Sequence, residues 1–274
     1  MKKFKVGLQL FSIRDEMEKD MDGTLGAIKA MGYDYVEFAG FYGKSAEEIR
    51  MLLDKHGLKC ISVHQNISES MEDMQAHADY LKVIGAKYSA IPWYDLEQFE
   101  SNFDGVAELF MKVGKLFKDN GIQMLYHNHD FEFIKIDGEY ILDKLYATVP
   151  AESLNPQLDT CWVRYAGVDP AEYIKKYTGR LSVIHLKDFK CNKLANGPVY
   201  ELIGDDSKNE MPSREDNDFK FLPLGMGLQD FPAILAAAES AGVEYVIAEL
   251  DDATEHSPME SAQMSREYLK TLGL

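Results

Sequence analysis

Two histidines and two carboxylates follow a short apolar run near the middle of the chain, in the sequence Gly-Ile-Gln-Met-Leu-Tyr-His-Asn-His-Asp-Phe-Glu-Phe at residues 121–133. The apolar run predicts a buried strand. Because strand side chains alternate between faces, His127 and His129 should point to the same side, and a turn after them can bring Asp130 or Glu132 to the same place. By itself this stretch fits polar residues leaving a strand equally well, so its interpretation depends on the other strands.

Polar side chains also end most of the other predicted strands. These residues are Glu37, His64, Trp93, Asp159, His185, Lys187, Glu249 and Asp251. Where parallel strands form a barrel, their C-terminal ends meet at one mouth and build the active site. We therefore expect these side chains to converge with the histidines of the central stretch.

Four of the candidate residues have the chemistry of a metal site. Glu132, Asp159, His185 and Glu249 would supply three carboxylates and one imidazole, an oxygen-rich set that suits Mn²⁺, Mg²⁺ or Co²⁺ and, less well, Zn²⁺. Each has an ordinary alternative, because Asp159 can cap a turn and His185 can be a satisfied core histidine. Glu249 can likewise pair with Lys187. Separate structural roles for all four residues are a weaker explanation than one metal site, since burying unpaired carboxylates is costly and a shared cation removes that cost.

A divalent cation at this place could polarise a carbonyl or hydroxyl pair and stabilise an enediolate. Glu132 and Glu249 come from opposite sides of the barrel, and two carboxylates flanking one carbon suit the abstraction and return of a proton in isomerisation or epimerisation. A single base acting beside a leaving group would instead give elimination, with Lys187, His64 or His129 as the acid.

Aromatic and imidazole side chains at the same strand ends are candidates for substrate binding. Trp93 and Trp162 can stack on the apolar face of a sugar ring, although barrel cores also use tryptophan. His64 and His127 complete the predicted binding residues. The predicted partner is therefore a small-molecule carbohydrate.

Strand and helix patterns alternate along the chain. Apolar runs predict eight strands, at residues 6–10, 35–38, 60–64, 88–91, the run before His127, 154–158, 181–186 and 245–250. Helical segments lie between them; one opens with the capping box of Ser45 and Glu48, and another with Asp169 before Pro170. Since no break in composition indicates a linker, the pattern favours a single (β/α)8 TIM barrel over residues 1–274.

One connection departs from this alternation. After the seventh predicted strand, residues 188–227 are mostly polar and contain a dense charge run at 207–220. A loop of this length is usually functional or disordered. We expect it at the active-site face, where it would cover the pocket, form a contact in a homo-oligomer, or remain a solvated excursion.

Charge and cysteine content exclude several functional classes. With 29 Lys and Arg against 46 Asp and Glu, the net charge of −17 disfavours binding to nucleic acids and anionic membranes. The three cysteines are widely spaced and lack CxxC motifs, which indicates reduced thiols. The first residues do not resemble a signal peptide, and no run approaches the roughly 20 apolar residues that span a bilayer. We therefore expect a cytoplasmic protein.

Four motifs resemble those of a known superfamily. They are Tyr-His-Asn-His-Asp-Phe-Glu-Phe at 126–133, Leu-Asp-Thr-Cys-Trp at 158–162, Ile-His-Leu-Lys-Asp at 184–188 and Ile-Ala-Glu-Leu-Asp at 247–251. In this order they are similar to the xylose isomerase-like TIM barrel superfamily, and most similar to its sugar phosphate isomerase/epimerase and inosose dehydratase-like branch. The resemblance covers nearly the whole chain and is specific for the superfamily rather than for a substrate.

The resemblance implies a metal ligand at each of four strand ends. The implied ligands are Glu132, Asp159, His185 and Glu249. Many members place the first glutamate directly at the strand end, where this chain has His127, so either Glu132 folds back or His127 is the ligand. By the same resemblance, Lys187 would contact substrate oxygens or act as an acid.

The residues and the resemblance together predict a divalent-metal-dependent isomerase or epimerase that removes a proton next to the carbonyl of a sugar or keto sugar, with Mn²⁺ as the expected metal. The alternative is a lyase of the inosose dehydratase or 3-keto-glycoside type that uses the same site. A sugar-binding barrel without activity is less favoured, because the predicted acids, bases and ligands exceed what binding needs. A DNA-repair endonuclease on the same barrel is disfavoured by the net charge of −17.

Overall fold

Eight parallel strands close into a barrel in which neighbours in sequence pair with each other and the last strand pairs with the first. The computed structural model describes residues 4–194, 217–253 and 255–274. The strands are β1 (Lys5–Gln9), β2 (Tyr35–Phe38), β3 (Lys59–His64), β4 (Tyr88–Ile91), β5 (Gln123–His127), β6 (Asn155–Asp159), β7 (Val183–Leu186) and β8 (Tyr245–Ala248). The predicted (β/α)8 barrel is confirmed.

Helices connect the strands and surround the barrel. They are α1 (Arg14–Lys19), α2 (Met21–Met31), α3 (Ala46–His56), α4 (Met71–Ile84), α5 (Leu96–Ser101), α6 (Phe103–Asp119), α7 (Ile141–Thr148), α8 (Thr160–Tyr165), α9 (Pro170–Lys176), α10 (Phe231–Ala241) and α11 (Pro258–Thr271). The predicted capping box of Ser45 and Glu48 opens α3, and Asp169 caps α9 ahead of Pro170. Among the described residues, no helix has the length and apolar composition needed to cross a membrane.

Alternation along the strands sorts their side chains into two environments. Leu125 and Val183 belong to a small apolar cluster built from strand residues, whereas the next residues, Tyr126 and Ile184, pack in the large core with the helices. The residues that follow on β5 and β7 return to the inner face, because side chains two positions apart share a face. The barrel interior is therefore apolar towards the N-terminal ends of the strands and polar towards their C-terminal ends.

The connection after β7 contains structure that the sequence analysis missed. Residues Asp188–Lys190 pair antiparallel with Lys220–Leu222, where only a polar loop was predicted. Phe219 stacks on Trp162 at 5.9 Å between ring centroids. The two ends of the connection are therefore anchored on α8. Residues 195–216 lie outside the described part of the chain, and the predicted role of this segment as a cover or an oligomer contact stays a prediction.

Candidate active site

A cavity of about 520 Å³ opens at the C-terminal ends of the barrel strands. It is lined by Phe11, Ala39, Gly40, His64, Gln65, Asn66, Pro92, Trp93, His127, His129, Lys187, Glu249 and Asp251. Seven of the residues selected from the sequence therefore lie along one cavity. Trp93 is 53% exposed, which places its ring at the rim.

Four buried side chains form a candidate metal group beside this cavity. His127, Asp159, His185 and Glu249 each offer one ligand atom, and these atoms all lie within 4.8 Å of one another. All four side chains are almost completely buried. Two imidazoles and two carboxylates held this closely fit a divalent cation, because the cation would offset the cost of burying the carboxylates.

Glu132, the predicted ligand and base, lies elsewhere. Its carboxylate accepts hydrogen bonds from the Tyr126 hydroxyl at 2.6 Å and from the backbone N–H of His129 at 2.8 Å. Tyr126 faces the helix layer, so the 3-10 turn Phe131–Phe133 returns Glu132 to the outer side of β5. Glu132 neither lines the cavity nor joins the four-residue group. The structure thus brings the alternative, His127, and not Glu132 to the candidate metal group.

Because the carboxyl group of Glu132 is buried, the stability of the protein should depend on pH. Burial, opposed by the hydrogen bond from Tyr126, raises the pKa of Glu132 to about 8. Between its ordinary pKa of 4.5 and about 8, the folded state retains a proton that the unfolded state has released, so stability falls as pH rises through this window. Replacing Glu132 with Gln should remove this slope, which is at most about 1.4 kcal/mol per pH unit.

Urea unfolding of both proteins from about pH 5 to about pH 8, within the window between the two pKa values, measures this difference. We expect the free energy of unfolding of the wild type, minus that of Glu132→Gln, to decrease steadily with pH. A difference that stays constant would show that the Glu132 carboxyl is ionised throughout.

Lys187 is a buried cation among three carboxylates. Its Nζ lies 2.8 Å from Asp159 Oδ2, 2.9 Å from Glu249 Oε2 and 2.9 Å from Asp251 Oδ1, and the side chain is 1% exposed. Burial favours the neutral amine, but Asp159, Asp251 and Glu249 outweigh it and raise the pKa of Lys187 well above its usual value. Lys187 is therefore an ammonium group that faces the cavity. The ordinary alternative for Glu249, an ion pair with Lys187, holds at the same time as its place in the four-residue group.

Asp159 also has two roles in the local structure. Its Oδ1 accepts the backbone N–H groups of Cys161 at 2.8 Å and Trp162 at 3.3 Å, which caps α8. Its Oδ2 points to Lys187 and lies 3.6 Å from His127 Nε2. The cap fixes the carboxylate, and the second oxygen remains directed at the candidate metal group.

Trp162 contacts the site differently from what was expected, whereas His64 lies where it was predicted. Trp162 is 1% exposed and does not line the cavity; its ring lies 5.3 Å from Lys187 Nζ, so it supports the ammonium group. His64 lines the cavity as predicted, and its Nε2 lies 2.9 Å from Gln157 Oε1.

Three further residues complete the site. Asp251 and Glu37 were recognised at strand ends without a role, whereas Gln157 was not recognised. Asp251 lines the cavity, and burial raises its pKa to about 6 against the opposing effect of Lys187. Glu37 is fully buried and accepts a hydrogen bond from Gln157 Nε2 at 2.6 Å. Gln157 could have been found from its spacing, since it lies two residues before Asp159 and so shares its face.

A closed parallel barrel with a buried His, Asp and Glu group at the C-terminal ends of its strands defines a TIM barrel with a candidate metal site. The chain belongs to the xylose isomerase-like TIM barrel family, whose sequence model matches residues 25–272. The family resemblance identified from the four sequence motifs is confirmed.

The proteins that this chain resembles include enzymes. An inosose dehydratase of Geobacillus kaustophilus is 23% identical over 285 residues, covering 92% of this chain and 87% of that protein. A sugar phosphate isomerase/epimerase from Parabacteroides distasonis has a TM-score of 0.80 at 21% identity, covering 98% of each chain. The zinc-bound IOLI protein has a TM-score of 0.68 at 15% identity, covering 98% of this chain and 97% of that one. The two structural likenesses establish the fold.

Proposed function

We propose that this chain is a metal-dependent lyase that removes a proton next to the carbonyl of a keto sugar or cyclitol ketone and expels water or an alcohol from the neighbouring carbon. The observation that carries this proposal is the position of Glu132. Isomerisation by two carboxylates needs one on each side of the substrate, but Glu132 is sealed behind β5 by Tyr126 and His129. The inosose dehydratases among the relatives support elimination.

The proposed metal ligands are His127, Asp159, His185 and Glu249. When bound there, a divalent cation would polarise the substrate carbonyl and so acidify the neighbouring C–H bond. The donor set has two imidazoles where one was predicted, which shifts the expected metal from Mn²⁺ or Mg²⁺ towards Zn²⁺ or Co²⁺. The zinc carried by the IOLI protein is in keeping with this preference.

The proposed base is Asp251. The carboxylates that line the cavity, Glu249 and Asp251, both follow β8. Both carboxylates pair with Lys187, but Glu249 also lies 2.7 Å from His185 Nδ1 and belongs to the ligand group, whereas Asp251 lies outside that group and its side chain is 26% exposed. A carboxylate that is open to the cavity and not engaged as a ligand is the better proton acceptor.

The proposed acid is Lys187. Its ammonium group is fixed by Asp159, Glu249 and Asp251 and lines the cavity, so it can donate to the departing hydroxyl or alkoxyl oxygen. His129 also lines the cavity and approaches from the β5 side, as a second donor. A base and an acid on one side of the substrate suit removal of a proton and a leaving group from adjacent carbons.

Incubation of the metal-loaded enzyme in D₂O with a keto-inositol, a 3-keto-glycoside and a ketohexose tests the proposal. We expect a product that has lost water or an alcohol and that absorbs in the ultraviolet as an unsaturated ketone. A product with the mass of the substrate, one deuterium and an inverted or rearranged skeleton would establish isomerisation instead. Binding without exchange or turnover of any of the three compounds would favour the barrel without activity.

A further inference from the structure

Glu37, at the end of β2, is a carboxylate buried completely inside the barrel. Four polar side chains surround it. They are Gln9, whose Nε2 donates to Oε1 at 2.6 Å, Gln157, whose Nε2 donates to Oε2 at 2.6 Å, His185, whose Nε2 lies 2.8 Å from Oε1, and His64, whose Nε2 lies 3.0 Å from Oε1. Glu37 does not line the cavity. Its role must therefore be exerted through its neighbours.

The arrangement around Glu37 is assembled from five strands. Gln9 ends β1, Gln157 lies on β6, and the two histidines come from β3 and β7. The register of β2 against β3 shifts between Val36 and Glu37, and irregularities of this kind near active sites redirect a side chain. A buried carboxylate is costly unless it is paired and hydrogen-bonded. Two amides donate hydrogen bonds to Glu37, and two imidazole nitrogens lie within 3.0 Å of its Oε1, so Glu37 is the common partner of these four side chains.

The His185 ring lies between two carboxylates. Its Nε2 faces Glu37, and its Nδ1 lies 2.7 Å from Glu249 Oε2 on the side of the candidate metal group. A histidine that binds a metal through one ring nitrogen generally donates its other N–H to a carboxylate or carbonyl, which fixes the tautomer and the ring orientation. The position of Glu37 matches this outer partner.

We propose that Glu37 is a positioning residue that holds the Nε2–H of His185 and so presents Nδ1 as the ligand nitrogen. The inference rests on the metal site of the proposed function. The same carboxylate engages Nε2 of His64, together with Gln157 Oε1 at 2.9 Å, and leaves Nδ1 of His64 as the nitrogen available to a ligand in the cavity. One buried charge thus sets the orientation of a metal ligand and of a cavity histidine.

The test is the affinity of the Glu37→Gln protein for Zn²⁺ and Co²⁺, measured by competition with a chromophoric chelator. Loss of an outer partner of a metal-bound histidine typically weakens binding by about 10–100-fold, and we expect a loss in this range. The matched control is Glu244→Gln. Glu244 pairs with Lys5 just before β8, at the opposite end of the barrel, so the control makes the same substitution and removes one ion pair and one charge. Its affinity should equal that of the wild type.

The outcomes separate this inference from the proposed function. If the wild type binds neither metal, the proposed metal site fails. If the wild type binds and Glu37→Gln binds equally tightly, the site stands and the positioning role is overturned.

A second measurement does not depend on the folding of a variant. In the ¹⁵N spectrum of histidine-labelled, Zn²⁺-loaded wild type, we expect His185 to carry its proton on Nε2 and to bind the metal through Nδ1. The opposite assignment would refute the proposal. Glu37→Asp keeps the charge but shortens the side chain, so its affinity for the metal should fall between those of the wild type and Glu37→Gln. If circular dichroism shows that Glu37→Gln does not fold, Glu37→Asp replaces it in the affinity measurement.

Discussion

Replacing Asp159 with asparagine is expected to abolish metal binding and to lower turnover by more than the roughly 100-fold that follows loss of an outer partner alone. Asparagine keeps the shape of the side chain, and its Oδ1 can still accept the N–H groups of Cys161 and Trp162 that cap α8. The atom that changes is Oδ2, which would become an amide nitrogen directed at Lys187 and His127. An amide nitrogen cannot bind a cation, so the variant loses a ligand while it retains the cap.

Metal content by mass spectrometry is the first measurement, on protein purified without added metal or affinity-column nickel. We expect about one divalent ion per chain in the wild type and close to none in Asp159→Asn, since binding depends on the count of deprotonated ligands. Asp143→Asn is the control. Asp143 accepts the hydroxyls of Tyr173 and Tyr177 in the helix layer, away from the cavity.

Two outcomes would contradict the metal site. Wild-type protein that takes up no ion even from Mn²⁺, Mg²⁺, Co²⁺ or Zn²⁺ solutions would remove the basis of the proposed function. If Asp159→Asn still bound a full equivalent of metal, only Asp159 would be removed from the ligand set. The second candidate group, His64, His127 and His185, would then be the alternative metal site.

Alternation within strands predicted the parts of the site that lie on strands. His127 and His185 face inward because each lies two residues after an inward apolar residue, Leu125 or Val183. Glu132 could not be placed in this way, because it lies beyond β5 in a 3-10 turn where alternation no longer applies. What decides its position is the hydroxyl of Tyr126, a contact that is only visible once the turn is folded.

The parts that the sequence did not reveal depend on pairing between distant segments. The short strand Asp188–Lys190 pairs with Lys220–Leu222 across more than twenty-five intervening residues, and such pairing cannot be inferred from local composition. The alternation of Phe219, Lys220 and Phe221 was the available signal. The predicted first strand, residues 6–10, lay one residue after the observed β1, Lys5–Gln9. No role in the site was predicted for Gln9. Its role depends on Glu37, a partner from the next strand.

Replacing Lys187 with methionine is expected to destabilise the metal-free protein by about 3–5 kcal/mol, the range for removing one partner of a buried ion pair. Methionine has a similar length and can pack on Trp162 and Phe221, whose rings lie 5.3 and 5.7 Å from the Lys187 ammonium. Packing is therefore largely kept. What disappears is the cation that neutralises three carboxylates, two of which, Asp159 and Glu249, belong to the candidate metal group.

A divalent cation should stabilise Lys187→Met more than it stabilises the wild type, because the metal and the ammonium group share the oxygens of Asp159 and Glu249. Urea unfolding with and without Zn²⁺ measures both effects. Lys190→Met is the control, since Lys190 pairs with Glu255 in an exposed ion pair and should change stability little. Equal stabilisation of wild type and Lys187→Met by Zn²⁺ would show that the two cations do not compete for these carboxylates.

Turnover should remain low in Lys187→Met even when the metal is bound, because the metal restores the charge of the site but cannot supply the proton that the leaving group requires.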